Sequence, residues 1–326
     1  MSSKSSLRPR FCVASPLHLA AVISIFIGPA AFAADTAIEV GSKQMGVNVM
    51  KNAMPKLPAF PVLTPKSGFV RGYVKDTSGK PLAGAKLGIR ASATGGFYSG
   101  AQTTSDTRGY YEIKVPWGSA HFYSAAYTID YAGGRASLSL HPADGEAKSF
   151  PSGKGAIENW VLLPYGVADR DGASEKPNYT SDYYGGAINV DYHTTDRPPL
   201  EGAEDDYLPE GAEIELTLAP VGKLIDGSMG QPFVILRHVG NSSWENFNVN
   251  NLPIGVYRLS AKLTYQGKTW PLRMEEIGRR ASLGFGLEPK DSSQQSTLFF
   301  RPLSAKSETT LPQRGNWDTV EIRLKK

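Results

Sequence analysis

The fold of this chain is decided by the stretch Gly72-Tyr-Val-Lys-Asp76-Thr-Ser-Gly79-Lys-Pro81-Leu-Ala-Gly84-Ala85. Around its start, Val70 and Val74 alternate with charged residues, which predicts a strand with one buried and one solvated face. Residues 76–79 predict a turn, because Asp and Ser side chains bond to nearby backbone and Gly accepts a positive φ. The alternation resumes at residues 85–89, which predicts a second strand.

The same pattern of alternating strands and turns continues along the chain. A turn at Ser105-Asp106-Thr-Arg-Gly109 precedes Tyr111-Glu-Ile-Lys-Val115, whose apolar side chains recur at every second position, and Pro116-Trp-Gly118 ends this strand. With 34 Gly and 23 Pro in 326 residues, the composition favours an all-β protein. At about 150 residues per domain, the length is typical of two domains.

Residues 72–85 and 104–118 together resemble the carboxypeptidase regulatory-like domain, a transthyretin-like β-sandwich. The likeness covers most of residues 67–145. It implies an antiparallel sandwich that accompanies other domains and has no catalytic residues of its own, so the family name implies no peptidase activity here.

A second resemblance lies further along the chain. The apolar run at residues 156–163, the segment Tyr183-Tyr-Gly-Gly186 and the turn Leu224-Ile-Asp-Gly-Ser228 resemble a subset of bacterial secreted proteins in which these features follow the regulatory-like domain. The likeness then extends over residues 67–260. This resemblance implies no established activity; it supports the predicted architecture and not a function.

A second sandwich is predicted by a weaker form of the same pattern. Residues 212–218 alternate, and residues 247–257 parallel the strand that ends at Pro116-Trp-Gly118, which indicates an internal duplication. Generic turn chemistry explains this likeness as well, so both interpretations stay open. Residues 320–324 predict a final strand, and residues 272–283 predict a short helix that Gly278 weakens.

The expected fold is all-β, with two antiparallel β-sandwich domains of transthyretin-like or Ig-like type joined by an acidic, Tyr-rich connector. The expected segments are a signal peptide (1–33), an extended Pro- and Met-containing lead (34–66), the first sandwich (67–145), the connector (146–210) and the second sandwich (211–326).

Residues 1–33 have the three regions of a signal peptide. Lys4, Arg8 and Arg10 form a basic region, residues 19–27 are apolar, and Ala31-Phe-Ala33 is a small-residue cleavage site. The apolar stretch is shorter than the roughly 20 residues of a spanning helix. We expect cleavage near Ala33 and a soluble periplasmic or extracellular protein with no transmembrane span, with an uncleaved anchor as the alternative.

Cleavage changes the chemistry of the chain. It removes Cys12, the one cysteine, and three basic residues, which lowers the formal charge from +4 to +1. The mature chain then has no disulfide, thiolate metal site or Cys nucleophile, and no basic attraction to nucleic acid. We expect no cofactor, no metal and no nucleic-acid partner.

The lead contains Met45, Met50 and Met54. Thioethers can bind Cu(I), but no His or Cys stands beside them and their spacing is irregular. The pattern favours a flexible arm, or a strap that packs its methionines on a neighbour.

The connector is the most distinctive segment, because residues 169–210 hold eleven acidic side chains against three basic ones, together with five tyrosines. Carboxylates that accept hydrogen bonds from hydroxyls, and rings that stack on C–H faces, are typical of sugar-binding surfaces. The candidate ligand site consists of Tyr183, Tyr184, Tyr192, Asp182 and Asp191. Two other interpretations stay open: tyrosines that pack on the sandwiches, and a calcium site, for which Asp169-Arg-Asp-Gly172 lacks a third carboxylate.

No catalytic motif occurs in the sequence. The histidines beyond the leader lack metal-ligand spacing, and no Gly-x-Ser-x-Gly elbow is present; these histidines are His121, His141, His193 and His238. We expect an exported, noncatalytic binding or scaffolding protein of the cell envelope, with an envelope protein or a polysaccharide as partner. The alternative is a carbohydrate-active enzyme of unrecognised type that uses a carboxylate pair drawn from Asp182, Asp191, Glu201 and Asp206.

Export predicts a defined start of the mature chain. The intact mass of protein isolated from its native host should correspond to a chain that begins at Ala34 or close to it. A mature chain that begins at Met1 would contradict both the cleavage and the compartment.

Overall fold

A computed structural model describes residues 37–93, 96–176, 179–194, 206–242, 244–278, 284–303 and 310–326. The predicted signal peptide lies outside these described residues. The described chain consists of strands, one short helix and two 3₁₀ turns, which confirms the all-β prediction.

In chain order the strands are β1 (Ile38–Val40), β2 (Gly46–Asn48), β3 (Phe69–Asp76), β4 (Lys86–Ala93), β5 (Phe97–Thr104), β6 (Tyr110–Lys114), β7 (Ser119–Tyr131), β8 (Gly134–Ser139), β9 (His141–Pro142), β10 (Phe150–Pro151), β11 (Ala156–Ile157), β12 (Trp160–Leu162), β13 (Gly186–His193), β14 (Glu213–Pro220), β15 (Phe233–His238), β16 (Trp244–Leu252), β17 (Val256–Tyr265), β18 (Lys268–Glu276), β19 (Gly286–Glu288), β20 (Gln295–Phe299), β21 (Arg301–Pro302), β22 (Trp317–Asp318) and β23 (Val320–Lys325). The helix is α1 (Arg170–Glu175), and the 3₁₀ turns are Ser152–Lys154 and Thr180–Asp182.

The first sandwich consists of two five-stranded sheets. One sheet has the order β10-β7-β4-β5 with β8 beside β7, and the other has the order β11-β3-β12-β9 with β6 beside β3. Phe122 of β7 and Trp160 of β12 meet edge to face across the core, with ring centroids 4.9 Å apart. Val70 and Val74 are fully buried, as the alternation in β3 predicts.

The turn after β3 forms as the sequence predicts. The Asp76 carboxylate accepts hydrogen bonds from the Ser78 hydroxyl (2.6 Å) and the Lys80 amide (2.9 Å), and Gly79 has a φ of +89°. Gly72 is required for a different reason. The carbonyl oxygen of Glu158 lies where a Cβ at position 72 would stand. Any residue other than glycine at this position of β3 would collide with the backbone of Glu158.

The second sandwich is one continuous eleven-stranded sheet folded into layers. Its path runs β1-β15-β14-β17-β18-β23-β13-β16-β2, and β20 joins β17 and β19. Strand β18 changes partner along its length, because residues 268–272 pair with β17 and residues 273–276 pair with β23. This change of partner carries the sheet from one layer to the other.

Both sandwiches use a Pro-x-Gly turn in the same way. The turn at residues 116–118 connects β6 to β7 in the opposite sheet, and the turn at residues 253–255 connects β16 to β17 in the other part of the large sheet. The two Pro-x-Gly segments, which the sequence shows to be alike, therefore have the same structural role: each carries the chain from one layer to the other.

The lead is part of the second sandwich. Strand β1 pairs in parallel with β15, and β2 pairs in parallel with β16, so two consecutive short strands occupy the two ends of the large sheet. The segment that joins them, residues 41–45, therefore connects the two ends of the strand order. The lead thus covers sheet edges that would otherwise present unpaired backbone groups.

A buried cluster around Arg237 holds this segment. The guanidinium of Arg237 donates to the carbonyl oxygens of Gly41 (2.5 Å), Ser42 (2.8 Å) and Gln44 (2.7 Å). It also donates to the Tyr192 hydroxyl (2.8 Å), which in turn donates to Glu245 (2.6 Å). Because each charged group has several hydrogen-bond partners, the cluster meets the condition under which a buried ion pair is tolerated.

The two sandwiches share one core. The described residues from position 37 onward belong to one compact unit, and buried side chains from both sandwiches belong to a single contiguous cluster. The Tyr131 hydroxyl, for example, donates to the carbonyl of Gly255 (3.1 Å) and accepts from the amide of Phe300 (2.8 Å). The connector supplies strands to both sandwiches, since β12 lies in the first and β13 in the second.

Two expectations need correction. The helix predicted over residues 272–283 is wrong, because residues 272–276 belong to β18; residues 279–283 lie outside the described part of the chain. Most pairings are antiparallel, as expected, but five pairings of described strands are parallel: β1 with β15, β11 and β12 with β3, β13 with β23, and β16 with β2.

Removal of the Arg237 guanidinium should destabilise the whole second sandwich. Arg237→Leu leaves the Glu245 carboxylate buried without its cation and frees residues 41–45, so the free energy of unfolding should fall by about 3–5 kcal/mol. Arg258→Leu, at an exposed position of β17, should change it by less than about 0.5 kcal/mol. Urea unfolding of both variants measures this, and equal midpoints would contradict the role given to Arg237.

Candidate functional site

A polar cleft of about 1220 Å³ lies where the lead, the segment after β9 and helix α1 meet. One wall comes from the lead, one from the β9–β10 segment, and one from α1 and the residues before it. The described lining residues are Asn52, Met54, His141, Gly145, Glu146, Val167, Ala168, Asp169, Arg170, Asp171, Ala173, Ser174 and Gln313.

His141 is the buried polar side chain of the cleft. It is 8% exposed, and its Nδ1 lies 3.1 Å from the Tyr184 hydroxyl, which is itself fully buried. Burial lowers the pKa of His141 from 6.5 to about 4, with a small opposing contribution from the charge of Asp144. The imidazole is therefore neutral at physiological pH.

The hydrogen bond to Tyr184 determines the tautomer of His141. Among the described residues, the phenol of Tyr184 has no other hydrogen-bond partner than His141. A buried O–H donor needs an acceptor, so Nδ1 accepts from the phenol and the proton of the neutral ring lies on Nε2. Nε2 has no partner among the described residues, which leaves one N–H donor for whatever occupies the cleft.

Helix α1 is held in place by two aspartates. The Asp169 carboxylate accepts from the Gly172 amide (2.9 Å) and caps the helix. Asp182 lies beneath the helix, so close that a Cβ at position 172 would press on its Oδ1. Burial raises the pKa of Asp182, and the neighbouring charge of Asp169 adds to this effect.

The lead forms the opposite wall and is anchored on both sides of the cleft. The amide of Val167 contacts the Met54 sulfur (3.1 Å). Further along the lead, Lys75 donates to the carbonyl of Ala59 (2.7 Å), and Arg71 donates to the carbonyl of Thr64. Of the three methionines, Met54 packs at the cleft, Met50 packs on the core, and Met45 is exposed. The cleft wall therefore depends on contacts with the first sandwich.

The cleft and its floor carry an excess of carboxylates. Glu146, Asp169 and Asp171 line it against one cation, Arg170. Burial, together with the charge of Asp144, raises the pKa of Glu158 to about 8. Glu158 thus retains its proton at neutral pH, while the lining carboxylates give the cleft a negative potential.

The residues proposed from the sequence as a ligand site separate into two places. Asp182, Tyr183 and Tyr184 lie behind the cleft, whereas Asp191 and Tyr192 lie on β13. The three tyrosines are at most 2% exposed. A buried ring offers no face to a sugar, so the stacking surface expected from Tyr183, Tyr184 and Tyr192 is corrected: these rings pack within the protein, and Tyr184 acts on the cleft through His141.

The remaining carboxylates of the predicted enzyme alternative lie away from the cleft. Asp191 lies 3.8 Å from Arg323, and Asp206 lies 3.6 Å from Lys325; both cations also contact Glu275. Burial raises the pKa of Asp191, and Arg323 opposes that shift. Glu201 lies outside the described residues. These acids form a network along β23 and do not converge with Asp182.

Neither a metal site nor a membrane-spanning helix is found among the described residues. No group of three or more His, Cys, Asp or Glu side chains is arranged there to hold a metal ion, and Asp169 is engaged as a helix cap. Within the same ranges, no helix is long and apolar enough to span a membrane.

Sequence reasoning missed His141 and the cleft. The sequence signal was weak, because a lone histidine before a proline has no ligand spacing. The excess of acid over residues 169–171 did mark one wall of the cleft. The other wall comes from residues more than a hundred positions earlier, and such long-range contacts leave no local pattern.

Comparison with known proteins adds little to this geometry. No family model and no curated protein matches the chain. Among solved structures it is similar to the streptococcal ancillary pilin (14% identity, 65% of this chain and 59% of that chain, TM-score 0.21). It is also similar to the Bacillus anthracis TIE protein (10%, 79% and 50%, 0.27) and to hydroxyquinol 1,2-dioxygenase from Pseudomonas putida DLL-E4 (14%, 41% and 63%, 0.18). The chain spans less than two thirds of each, and at these TM-scores the likenesses carry no argument about function.

The lowered pKa of His141 predicts a defined acid sensitivity. The unfolded chain takes up a proton near pH 6.5 and the folded chain only near pH 4, so the stabilisation is complete above pH 6.5 and is lost as the pH falls to about 4. The loss is about 3 kcal/mol at most. His141→Gln should flatten this part of the curve of unfolding free energy against pH.

Tyr184→Phe is the matched control. It keeps the ring of His141 buried, so the variant should retain the pH slope while losing about 1 kcal/mol at every pH. A parent protein and a His141→Gln variant with identical slopes between pH 6.5 and 4 would contradict the burial of a neutral His141.

Proposed function

We propose that this chain is an exported, noncatalytic binding protein of the cell envelope that holds a polysaccharide in the cleft beside His141. The single observation that carries the proposal is the buried neutral imidazole, whose Nε2–H lacks a partner among the described residues and lines an open polar cleft. The Nε2 atom is open to the cleft, since it is not one of the fully buried atoms without a partner, so a ligand hydroxyl or a water can accept from it there.

The lining chemistry supports a hydroxyl-rich ligand. Carboxylates, the amide of Asn52 and the guanidinium of Arg170 supply both donors and acceptors, which match sugar hydroxyls that donate and accept at the same oxygen; Gln313 and Ser174 donate to backbone carbonyls of the cleft wall. No Trp, Tyr or Phe is among the described lining residues, so hydrogen bonding and not ring stacking would provide the affinity.

The volume of the cleft and the charge of its lining residues indicate the class of ligand more closely. The cleft exceeds the roughly 300–1,000 Å³ of ordinary small-molecule pockets, which supports an oligomeric ligand. Three carboxylates outnumber Arg170 and Lys148, which pairs with Glu146 (3.0 Å), and this excess of negative charge favours a neutral or amino-bearing polymer over an acidic one. The predicted signal peptide supports an envelope location, and the resemblance of residues 67–145 to a noncatalytic regulatory-like domain belongs to the same proposal.

Calorimetric titration with three soluble oligosaccharides tests the proposal: a neutral glucan, an amino-sugar oligomer and a polyuronate. We expect binding of the neutral or amino-bearing probe and none of the polyuronate. Asp171→Asn, on the exposed lip of α1, should weaken that binding by about tenfold, as for the loss of a hydrogen bond to a charged group.

Glu210→Gln is the matched control, because it removes the same charge at an exposed position that does not line the cleft. It should bind like the parent. The proposal is wrong if none of the three probes binds, or if Asp171→Asn binds as tightly as Glu210→Gln.

A further inference from the structure

The edge of the first sandwich at β5 differs from the other described sheet edges. Strand β5 pairs with β4 on one side and with no described strand on the other. It is eight residues long and reads Phe97-Tyr-Ser-Gly-Ala-Gln-Thr-Thr104, without a charge or a proline. Half of its N–H and C=O groups therefore point away from the sheet without a ladder partner.

Other described edges are short or guarded. Strands β1, β2, β9, β10 and β19 have two or three residues each, and β9 and β10 contain a proline. Strand β6 carries Glu112 and Lys114, and the segment after Thr310 bonds to β8 through Ser139. Short length, charge, proline and cover are the usual devices that prevent edge pairing, and within the described part of the chain β5 has none of them.

The β5 edge is also accessible. Tyr98, Ser99, Gly100 and Gln102 are exposed, and Tyr98 is 69% exposed. Cross-strand register places Tyr98 opposite Ser92 and Gln102 opposite Gly88, so both side chains lie on the outer face of the sheet. A strand that approached this edge would meet no charged side chain of β5.

We propose that β5 is a self-association edge, at which the β5 strands of two copies of this chain pair antiparallel and join two five-stranded sheets into one. Antiparallel pairing about Gly100 sets this residue opposite its own copy, Ser99 opposite Ala101, and Tyr98 opposite Gln102. No like charges meet in any register, because the strand carries none. The twofold axis makes the contact closed, so it ends at a dimer.

Gly100 offers a clean way to break this contact. Its backbone is not in the left-handed region, and a Cβ there would have an ordinary 3.5 Å contact with the Ile89 carbonyl, so the monomer accommodates a side chain. Gly100→Lys would set two ammonium groups opposite each other across the dimer. Gly153→Lys is the matched control, since it adds the same charge at an exposed glycine with open space around it.

Sedimentation equilibrium of the purified protein at rising concentration measures the association. We expect a monomer–dimer equilibrium for the parent and for Gly153→Lys, and dimerisation weakened by about tenfold or more in Gly100→Lys. Gly100→Cys should in addition form an intermolecular disulfide on oxidation, whereas Gly153→Cys should not.

A parent that stays monomeric at every concentration overturns the proposal, whether or not β5 then accepts a strand from another protein. A dimer that persists unchanged in Gly100→Lys overturns it as well, because the contact must then lie elsewhere. Circular dichroism of Gly100→Lys confirms that a loss of dimer reflects the edge and not unfolding. Oligosaccharide titration does not depend on these outcomes, so ligand binding in the cleft and dimerisation at β5 are tested separately.

Discussion

The contact between the Arg237 guanidinium and the backbone carbonyls of residues 41–44 is the constraint on which the rest of the structure depends. It fastens the lead at the point where it crosses from one end of the large sheet to the other. Strand β1 then pairs with β15 at one end of that sheet, and β2 pairs with β16 at the other. The chain beyond them is then directed past the cleft toward the first sandwich, where Lys75 and Arg71 hold it.

The cleft is a consequence of that path. Its lead wall is fixed by the second sandwich on one side and by the first sandwich on the other, while its floor is a neutral imidazole oriented by a buried phenol. Because α1 has only six residues, its position depends on Asp169 and Asp182 more than on its own helix stability. If copies pair at β5, one particle carries two clefts, and a polymer with repeating units can occupy both, which raises the apparent affinity without any new contact.

Local patterns in the sequence predicted the local parts of the structure. Alternation located β3, β4, β6 and β23, and the turn chemistry of residues 76–79 and 105–109 is present as expected. The predicted tyrosine surface failed because the sequence does not show whether the ring of a tyrosine faces solvent or core, and Tyr183, Tyr184 and Tyr192 all face the core. The helix expected over residues 272–283 failed because Leu-Arg-Met-Glu-Glu has good helix propensity, which tertiary pairing with β23 overrides. The three-residue strands of the lead are too short to show any period, and their parallel partners lie about two hundred residues away.

Native-state hydrogen exchange of the lead tests the central claim most directly. If the Arg237 cluster makes the lead an integral part of the large sheet, the hydrogen-bonded amides of residues 38–49 should exchange with the same free energy and denaturant dependence as those of β17. Exchange of these amides at the rate of the exposed turn at residues 266–267, while β17 stays protected, would show that the lead opens independently and would contradict this account.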